Sequence, residues 1–371
     1  MEALSMVNTH FALDLFKYKC KTQTDKNLLF SPWSISTAMA MVYLGAKGNT
    51  AEQMAEVSWV YRESNDLFGC NCPVYSQITH TRTHTNDFLS LALKDYLQSI
   101  KKYYRTEPQA VDFMGDAEKV RRQINSSVER QTEGKIQELL PVDSVDSLTK
   151  LVLVNALYFK GNWAKKFKDG FTKEQPFRMT KNTTKPVQMM FQREKFNWTY
   201  IKTVHTHIIE LPYVGNDLSM LILLPDDISD DTTGLEMLER DLTYEKLSKW
   251  TSSEMMEKTE VDVYLPRIKM EESYDLKSTL SSMGMQDAFS EDRADFRGMS
   301  EKNDLVLSHV FHKCFVEINE EGTEAAAATA ASMTTRSLIS AIQFIADHPF
   351  LFFLRHNETK TILFLGRFCS P

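Results

Sequence analysis

Four residues of this chain have the types of a zinc site: Cys70-x-Cys72 followed by His80-x-x-x-His84. Thiolates and imidazoles are the ordinary ligands of structural zinc. Here the cysteines stand one residue closer than in the usual motif, and neither pair reads as part of a helix or hairpin, so no metal is expected. The pairs Asp226-Asp227 and Asp230-Asp231 lie in a polar loop and read as a solvated turn. The chain has no Gly-x-Ser-x-Gly elbow, no phosphate-binding glycine loop and no His-Glu-x-x-His helix. Neither a cofactor nor enzymatic activity is expected.

A different chemistry, done to the chain rather than by it, is available further on. Arg336-Ser337 is a bond after a basic residue, which a protease with an acidic primary pocket would cleave. Upstream, residues 325–331 are all small. By composition alone this stretch is an exposed Ala-rich helix or a loop. Its alternation adds a third possibility, because Thr323, Ala325, Ala327, Thr329, Ala331, Met333 and Thr335 would share one face of an extended strand. All but Met333 are small enough to enter a packed sheet without displacing neighbours. The segment is therefore a candidate for two states, one exposed and one inserted.

The elements that would carry it are legible from hydrophobic period. Val7, Phe11, Leu15 and Phe16 recur at helical spacing over residues 5–20. Ser31-Pro32 starts a second helix, with Ile35, Met39 and Val42 on one face. A third begins near Thr50 and runs through Met54 to Val57, and Val120, Ile124 and Val128 mark another that Gly134 should end. Residues 151–159 form a continuous apolar run, the pattern of a strand buried on both faces. Further strands are expected at 218–224, 261–265, 305–318 and 350–365. Helices come first and strands later, which argues an α+β fold.

The 371 residues contain only 24 Gly and Pro together and no linker-like stretch, so one domain spanning 1–371 is expected. No apolar run approaches the ~18 residues of a membrane span. Net charge is −7, so a bulk basic footprint for nucleic acid is missing. Neither nucleic acid nor membrane is an expected partner. Five cysteines make no disulfide framework and suit a reducing compartment. The start, Met1-Glu2-Ala3-Leu4-Ser5-Met6, shows no basic region or cleavage site. A cytoplasmic monomer is expected, with leaderless secretion as the alternative; only then would the sequons at Asn125, Asn182, Asn197 and Asn357 matter.

Glu320-Glu321-Gly322-Thr323-Glu324-Ala325-Ala326-Ala327-Ala328-Thr329 resembles the proximal hinge of an inhibitory serpin, the family's most specific motif. The resemblance extends over most of the chain. It includes Asn27-Leu28-Leu29-Phe30-Ser31-Pro32-Trp33-Ser34-Ile35, the run from Leu153 through Asn155 to Trp163, Asp347-His348-Pro349-Phe350 and Phe364-Leu365-Gly366-Arg367. The leaderless start and terminal Ser370-Pro371 resemble the ovalbumin-type (clade B) branch. The resemblance implies a serpin fold, with helices, a large mixed central sheet and an exposed reactive-centre loop over residues 320–343. It further implies a suicide mechanism: a protease cleaves at Arg336-Ser337, forms an acyl-enzyme, and is trapped as the loop inserts into the sheet as a new strand. Trypsin-like serine proteases are the implied targets, urokinase-type and tissue-type plasminogen activators in particular. Ser31, Ser34, Asn155 and His312 resemble the shutter, polar residues beneath the sheet, and Trp163 resembles the breach, where insertion starts.

Residues 58–95 depart from the family. After Val57 the family supplies a fourth helix, a variable loop and a strand of the central sheet. Here Asn86-Asp87-Phe88-Leu89-Ser90-Leu91-Ala92 begins such a strand and passes directly into Leu93-Lys94-Asp95-Tyr96-Leu97. Most of that helix and much of the second sheet strand are expected to be missing, which a skipped exon or a faulty gene model explains better than design. A sheet short of a strand exposes backbone hydrogen-bonding groups. A non-inhibitory or substrate-like serpin is therefore the competing expectation. Ser127 also stands where the family has Trp on the helix that crosses the sheet.

Overall fold

The computed structural model describes residues 2–58, 74–81, 91–106, 108–322 and 341–371. Three helices come first: α1 (Glu2–Thr22), α2 (Pro32–Tyr43) and α3 (Gly48–Ser58). The side chain of Ser31 accepts the amide proton of Ser34 and caps α2, whose first residue is Pro32, as the sequence anticipates. After them come α4 (Leu91–Tyr104), α5 (Phe113–Gln131), α6 (Glu236–Asp241), α7 (Tyr244–Trp250) and α8 (Lys277–Ser282). Beyond α5 the chain turns at Gly134, whose φ of +78° suits a residue without Cβ.

Two sheets hold the molecule together. The larger runs β1 (Leu28–Phe30), β14 (Ile362–Phe368), β13 (Phe350–His356), β8 (Leu218–Pro225), β7 (Thr206–Pro212), β6 (Thr183–Ile201), β9 (Glu257–Pro266) and β12 (Ile342–Ile345), with β5 (Lys173–Thr180) paired to β6. The smaller runs β10 (Ile268–Asp275), β11 (Leu307–Ile318), β4 (Leu151–Phe159), β2 (Val74–Thr81) and β3 (Gln109–Val111). It is mixed: β4 pairs with β11 in parallel and with β2 antiparallel.

The nine residues of β4, all apolar but Asn155, are buried throughout because each of its faces meets a different layer. Val152, Val154, Ala156 and Tyr158 pack with Phe113, Val120, Ile124 and Val128, so α5 lies across the outer face. Leu157 and Phe159 point the other way, into a core shared with Ile222, Phe352 and Phe364 of the large sheet. Ser127 is half-buried on α5, one residue before Val128 of that contact.

Several strands differ from the expectation. The span 350–365 is two strands, β13 and β14, because polar residues 357–360 turn the chain back. Strands β5, β6 and β10 were not singled out, since their burial alternates and their sequences are rich in charge. The segment expected to begin the strand beside β4 starts at Asn86, yet Leu91 already opens α4. The place beside β4 is taken instead by Val74–Thr81, registered from Val74↔Leu157 to His80↔Leu151. Residues 59–73, where the family's fourth helix would begin, lie outside the described residues.

Amides of Val74–Thr81 bonded to residues 151–157 should exchange with solvent at least about tenfold more slowly than unpaired backbone. Unprotected exchange across that segment would show that the small sheet ends at β4.

Candidate functional site

The small sheet has a seam at its centre. Strands β4 and β11 lie side by side in parallel, with His312 opposite Asn155 and Val316 opposite Phe159. Beneath the seam four polar residues are fully buried: Ser31, Ser34, Asn155 and His312. The amide of Ser31 donates to His312 Nε2 at 3.1 Å, so that nitrogen is the acceptor. Nδ1 then carries the proton and donates to Asn155 Oδ1 at 2.5 Å. Asn155 in turn donates to Ser34 Oγ and to the Ser34 carbonyl. One continuous relay thus joins the start of α2 to both strands of the seam. Burial pushes the His312 pKa down to about 3, with the charge of Lys19 adding to the effect, so the imidazole stays neutral. Cys314 Sγ lies 2.9 Å from His312 Nε2, and burial raises its pKa, so it remains a thiol.

At the upper end of the seam the chain leaves β11 through a tight turn at residues 319–322. Asn319 and Gly322 exchange backbone hydrogen bonds of 2.8 and 3.2 Å. Gly322 also bridges Asn162. Its φ is +125°, and a Cβ there would fall 2.3 Å from the Gly161 carbonyl oxygen, so only glycine fits. Trp163 is buried under this turn. Its indole donates to the Asn319 carbonyl at 3.0 Å, its amide to that of Glu321 at 2.9 Å, and its ring stacks on Tyr213 at 4.5 Å.

Glu320 is almost fully buried, which would normally raise a carboxyl pKa. Arg267 overrides burial by donating from Nε to both carboxylate oxygens at 2.9 Å and from Nη2 at 2.7 Å. Thr172 adds a hydroxyl donor, and the net pKa is lowered. Glu321 pairs with Lys166 at the surface. Arg267, Thr172 and Tyr213 were missed by sequence reasoning. Arg267 lies 53 residues from Glu320 in an unmarked turn between β9 and β10, and no local pattern connects them.

The structure therefore brings together Ser31, Ser34, Asn155 and His312, and separately Trp163 with Glu320, Glu321 and Gly322. Residues 323–329, Arg336 and Ser337 lie outside the described residues. The chain re-enters at Ala341, and Ile342 and Gln343, placed in the loop by the sequence reading, already belong to β12. Cys70, Cys72 and His84 also lie outside the described residues, as does the side chain of His80.

A parallel seam inside a mixed sheet, with a small-residue segment leaving from its upper end, is an arrangement that known proteins share. The family model for Serpin (serine protease inhibitor) matches residues 6–371. This chain is a serpin. Its relatives include human Serpin B10, 48% identical over 405 aligned positions, and human plasminogen activator inhibitor 2, 46% identical over 421; both alignments cover all of each chain. The structure of uncleaved ovalbumin superposes with a TM-score of 0.87 at 38% identity over 99% of both chains. These relatives place the serpin in the ovalbumin-type (clade B) branch. Among the described residues no helix is long and apolar enough to cross a membrane.

Removing Arg267 would leave the buried carboxylate with the Thr172 hydroxyl and a backbone amide but no cation. A fully buried pair broken this way costs about 3–5 kcal/mol, but Arg267 is half in solvent, so Arg267→Ala should cost about 1–2 kcal/mol. Glu320 has a lowered folded pKa, so its stabilisation is complete above the ordinary carboxylate range and is lost as pH falls through the folded value. Thermal melts at neutral and acid pH should show the Arg267→Ala deficit shrinking on acidification; a constant deficit would mean the ion pair contributes nothing specific.

Proposed function

We propose that this serpin inhibits trypsin-like serine proteases, plasminogen activators among them, by trapping them at Arg336-Ser337. The protease serine attacks the Arg336 carbonyl, the Ser337 amine leaves with a proton from the protease's histidine, and an ester joins the two proteins. Hydrolysis of that ester would release a cleaved chain. Insertion of the freed segment between β4 and β11 competes with it and carries the enzyme away before water can act.

The observation that carries this reading is the directly paired parallel seam of β4 and β11 beside the turn at residues 319–322. A strand entering there would run antiparallel to both neighbours. Fourteen residues from Thr323 to Arg336 at ~3.3 Å each reach roughly 46 Å, longer than the twelve residues of β11. The hinge runs from Glu320 to Thr329, its residues from Thr323 on begin that strand, Trp163 marks its entrance, and the relay of Ser31, Ser34, Asn155 and His312 must part to admit it. Arg336 selects enzymes with an acidic primary pocket, and the stretch from Ser332 to Ser337 resembles plasminogen activator inhibitor 2. The same reading has the protein act as a monomer, in the cytoplasm or after leaderless secretion.

One observation favours a substrate-like serpin instead. Beyond β4 the sheet is carried by β2, which pairs with β3 at only three positions. The alignment with human Serpin B10 also extends over 405 positions against 371 residues here, so that relative has residues this chain lacks. A weakly joined flank would move poorly as a block, insertion would slow, and hydrolysis would win.

Incubation with urokinase, read on a denaturing gel, separates the two. Trapping gives a band at the summed mass that survives denaturation, and Ala325→Arg, which puts a charged side chain into the inserting face, should convert it to cleaved chain alone. Cleaved chain alone from the unmodified protein would favour the substrate reading.

A further inference from the structure

The seam has a foot as well as an entrance. Where the pairing of β4 and β11 begins, at Leu151 and Leu307, an open cleft of about 150 Å³ lies at the surface, many times the space one water needs. It is walled by Asp146, Leu148 and Thr149 from the chain before β4, by His309 of β11, by Lys277 of α8 and by Glu291.

The cleft carries charges of both signs. Asp146 Oδ1 accepts the Leu148 amide at 2.9 Å and the Thr149 hydroxyl at 3.0 Å, and its second oxygen has no partner among the described residues. Glu291 and the Lys277 ammonium make no hydrogen bond or ion pair among the described residues. His309 is engaged, with Nδ1 2.8 Å from Asp275 Oδ2. Leu148 stands on the rim, 73% exposed, more than any other large apolar side chain among the described residues.

The turn at the entrance fixes what an inserted strand would bring to this foot. Asn319 stands opposite Gly322, so a strand continuing from the turn down β11 would place Thr323 opposite Ile318. Arg336 would then fall opposite Leu305, or opposite Asp304 if the bulge between Leu307 and His309 shifts the ladder by one residue. Because Leu307 pairs with Leu151 across the seam, the same level on the β4 side is Leu148 or Thr149, both in the wall of the cleft. Ile318 points into the core between the sheets, so Thr323 and the small residues at every second position would follow it inward. Arg336 would face the other way, on the side where His309 stacks on Phe311 at 5.2 Å.

Cutting the Arg336–Ser337 bond with water leaves a carboxylate on Arg336 and an amine on Ser337. The last residue of the inserted strand is then an arginine with a positive head and a negative end. We propose that the foot cleft is the seat of this new carboxy-terminus: the guanidinium lies with Asp146 and Glu291, the carboxylate faces Lys277, and Leu148 covers the aliphatic stem. This seating rests on the loop insertion proposed above. A trapped protease holds the Arg336 carbonyl as an ester, so Lys277 gains its partner only when hydrolysis has released the enzyme.

Two measurements on the full chain, nicked at Arg336–Ser337 by limited trypsin, test it. Thermal melts before and after nicking report insertion. Carboxypeptidase B, which removes a carboxy-terminal arginine, reports whether Arg336 is seated, with its loss followed by mass spectrometry. The nicked protein should melt well above the intact one, and Arg336 should be trimmed at least about tenfold more slowly than from a free peptide of residues 323–336. In the double variant Asp146→Asn, Glu291→Gln trimming should quicken about tenfold while the rise in melting temperature persists. Should Asp146→Asn disturb the turn that its Oδ1 holds, Glu291→Gln alone and Lys277→Gln should each shift trimming in the same direction. A nicked chain that gains heat resistance yet loses Arg336 as fast as the peptide, or equally slowly in every variant, would overturn the seat and leave insertion standing. No gain in heat resistance on nicking would remove insertion itself, and the seat with it.

Discussion

Two parallel strands hydrogen-bonded along a shared register are the contact on which the rest of this serpin depends. Parallel pairing is slightly weaker per residue than antiparallel pairing, and β4 and β11 are the neighbours that a new strand would have to separate. What closes the seam is more than its ladder. His312 belongs to β11, Asn155 to β4, and Ser34 to α2, so the bond from His312 to Asn155 spans the seam and the next one fastens it to a helix. Because all are buried, opening leaves donors and acceptors in an apolar layer unless something replaces them. The relay is thus a barrier as much as a bond.

The two faces of β4 explain why its sequence was readable and much else was not. A strand covered by α5 on one side and by the large sheet on the other needs apolar residues at almost every position, and eight of nine, broken only by Asn155, announce it. Strands β5 and β6 carry charge on an exposed face, so no continuous run marks them. The polar residues under the seam were named only through resemblance to the family. A lone buried histidine has no sequence signature, and its partners lie 157 and 281 residues away. Arg267 and Thr172 had no such help. Their meaning is conferred by Glu320 folding onto them, a contact that no spacing rule encodes.

Residues 58–95 carry the opposite lesson. Pattern reading placed the beginning of the second sheet strand at Asn86, because the apolar residues there resemble the family. The helix α4 claims Leu91 instead, and a segment containing several β-branched and aromatic residues, Val74–Thr81, pairs with β4. A sheet edge is filled by whatever backbone can reach it, since an unpaired ladder is costly and the ladder itself asks little of side chains. The short overlap of that strand with β3 is where the replacement is weakest.

The near end of the candidate loop is held by charge. Glu320 is kept as a carboxylate by Arg267, so acid weakens that end. At the near end the turn is further fixed by Gly322, whose φ of +125° no other residue adopts without strain. The same lack of Cβ lets glycine take up extended backbone at no added cost, so one residue serves both the turn and a strand that would replace it. Insertion would exchange a single parallel seam for two antiparallel ones, and must recover the relay and the Arg267–Glu320 bonds it disturbs. The small side chains that follow keep that exchange from costing packing as well. A bulky residue early in the segment would add its steric cost before any new ladder had formed, and so would act on the rate of entry more than on the stability of the final sheet.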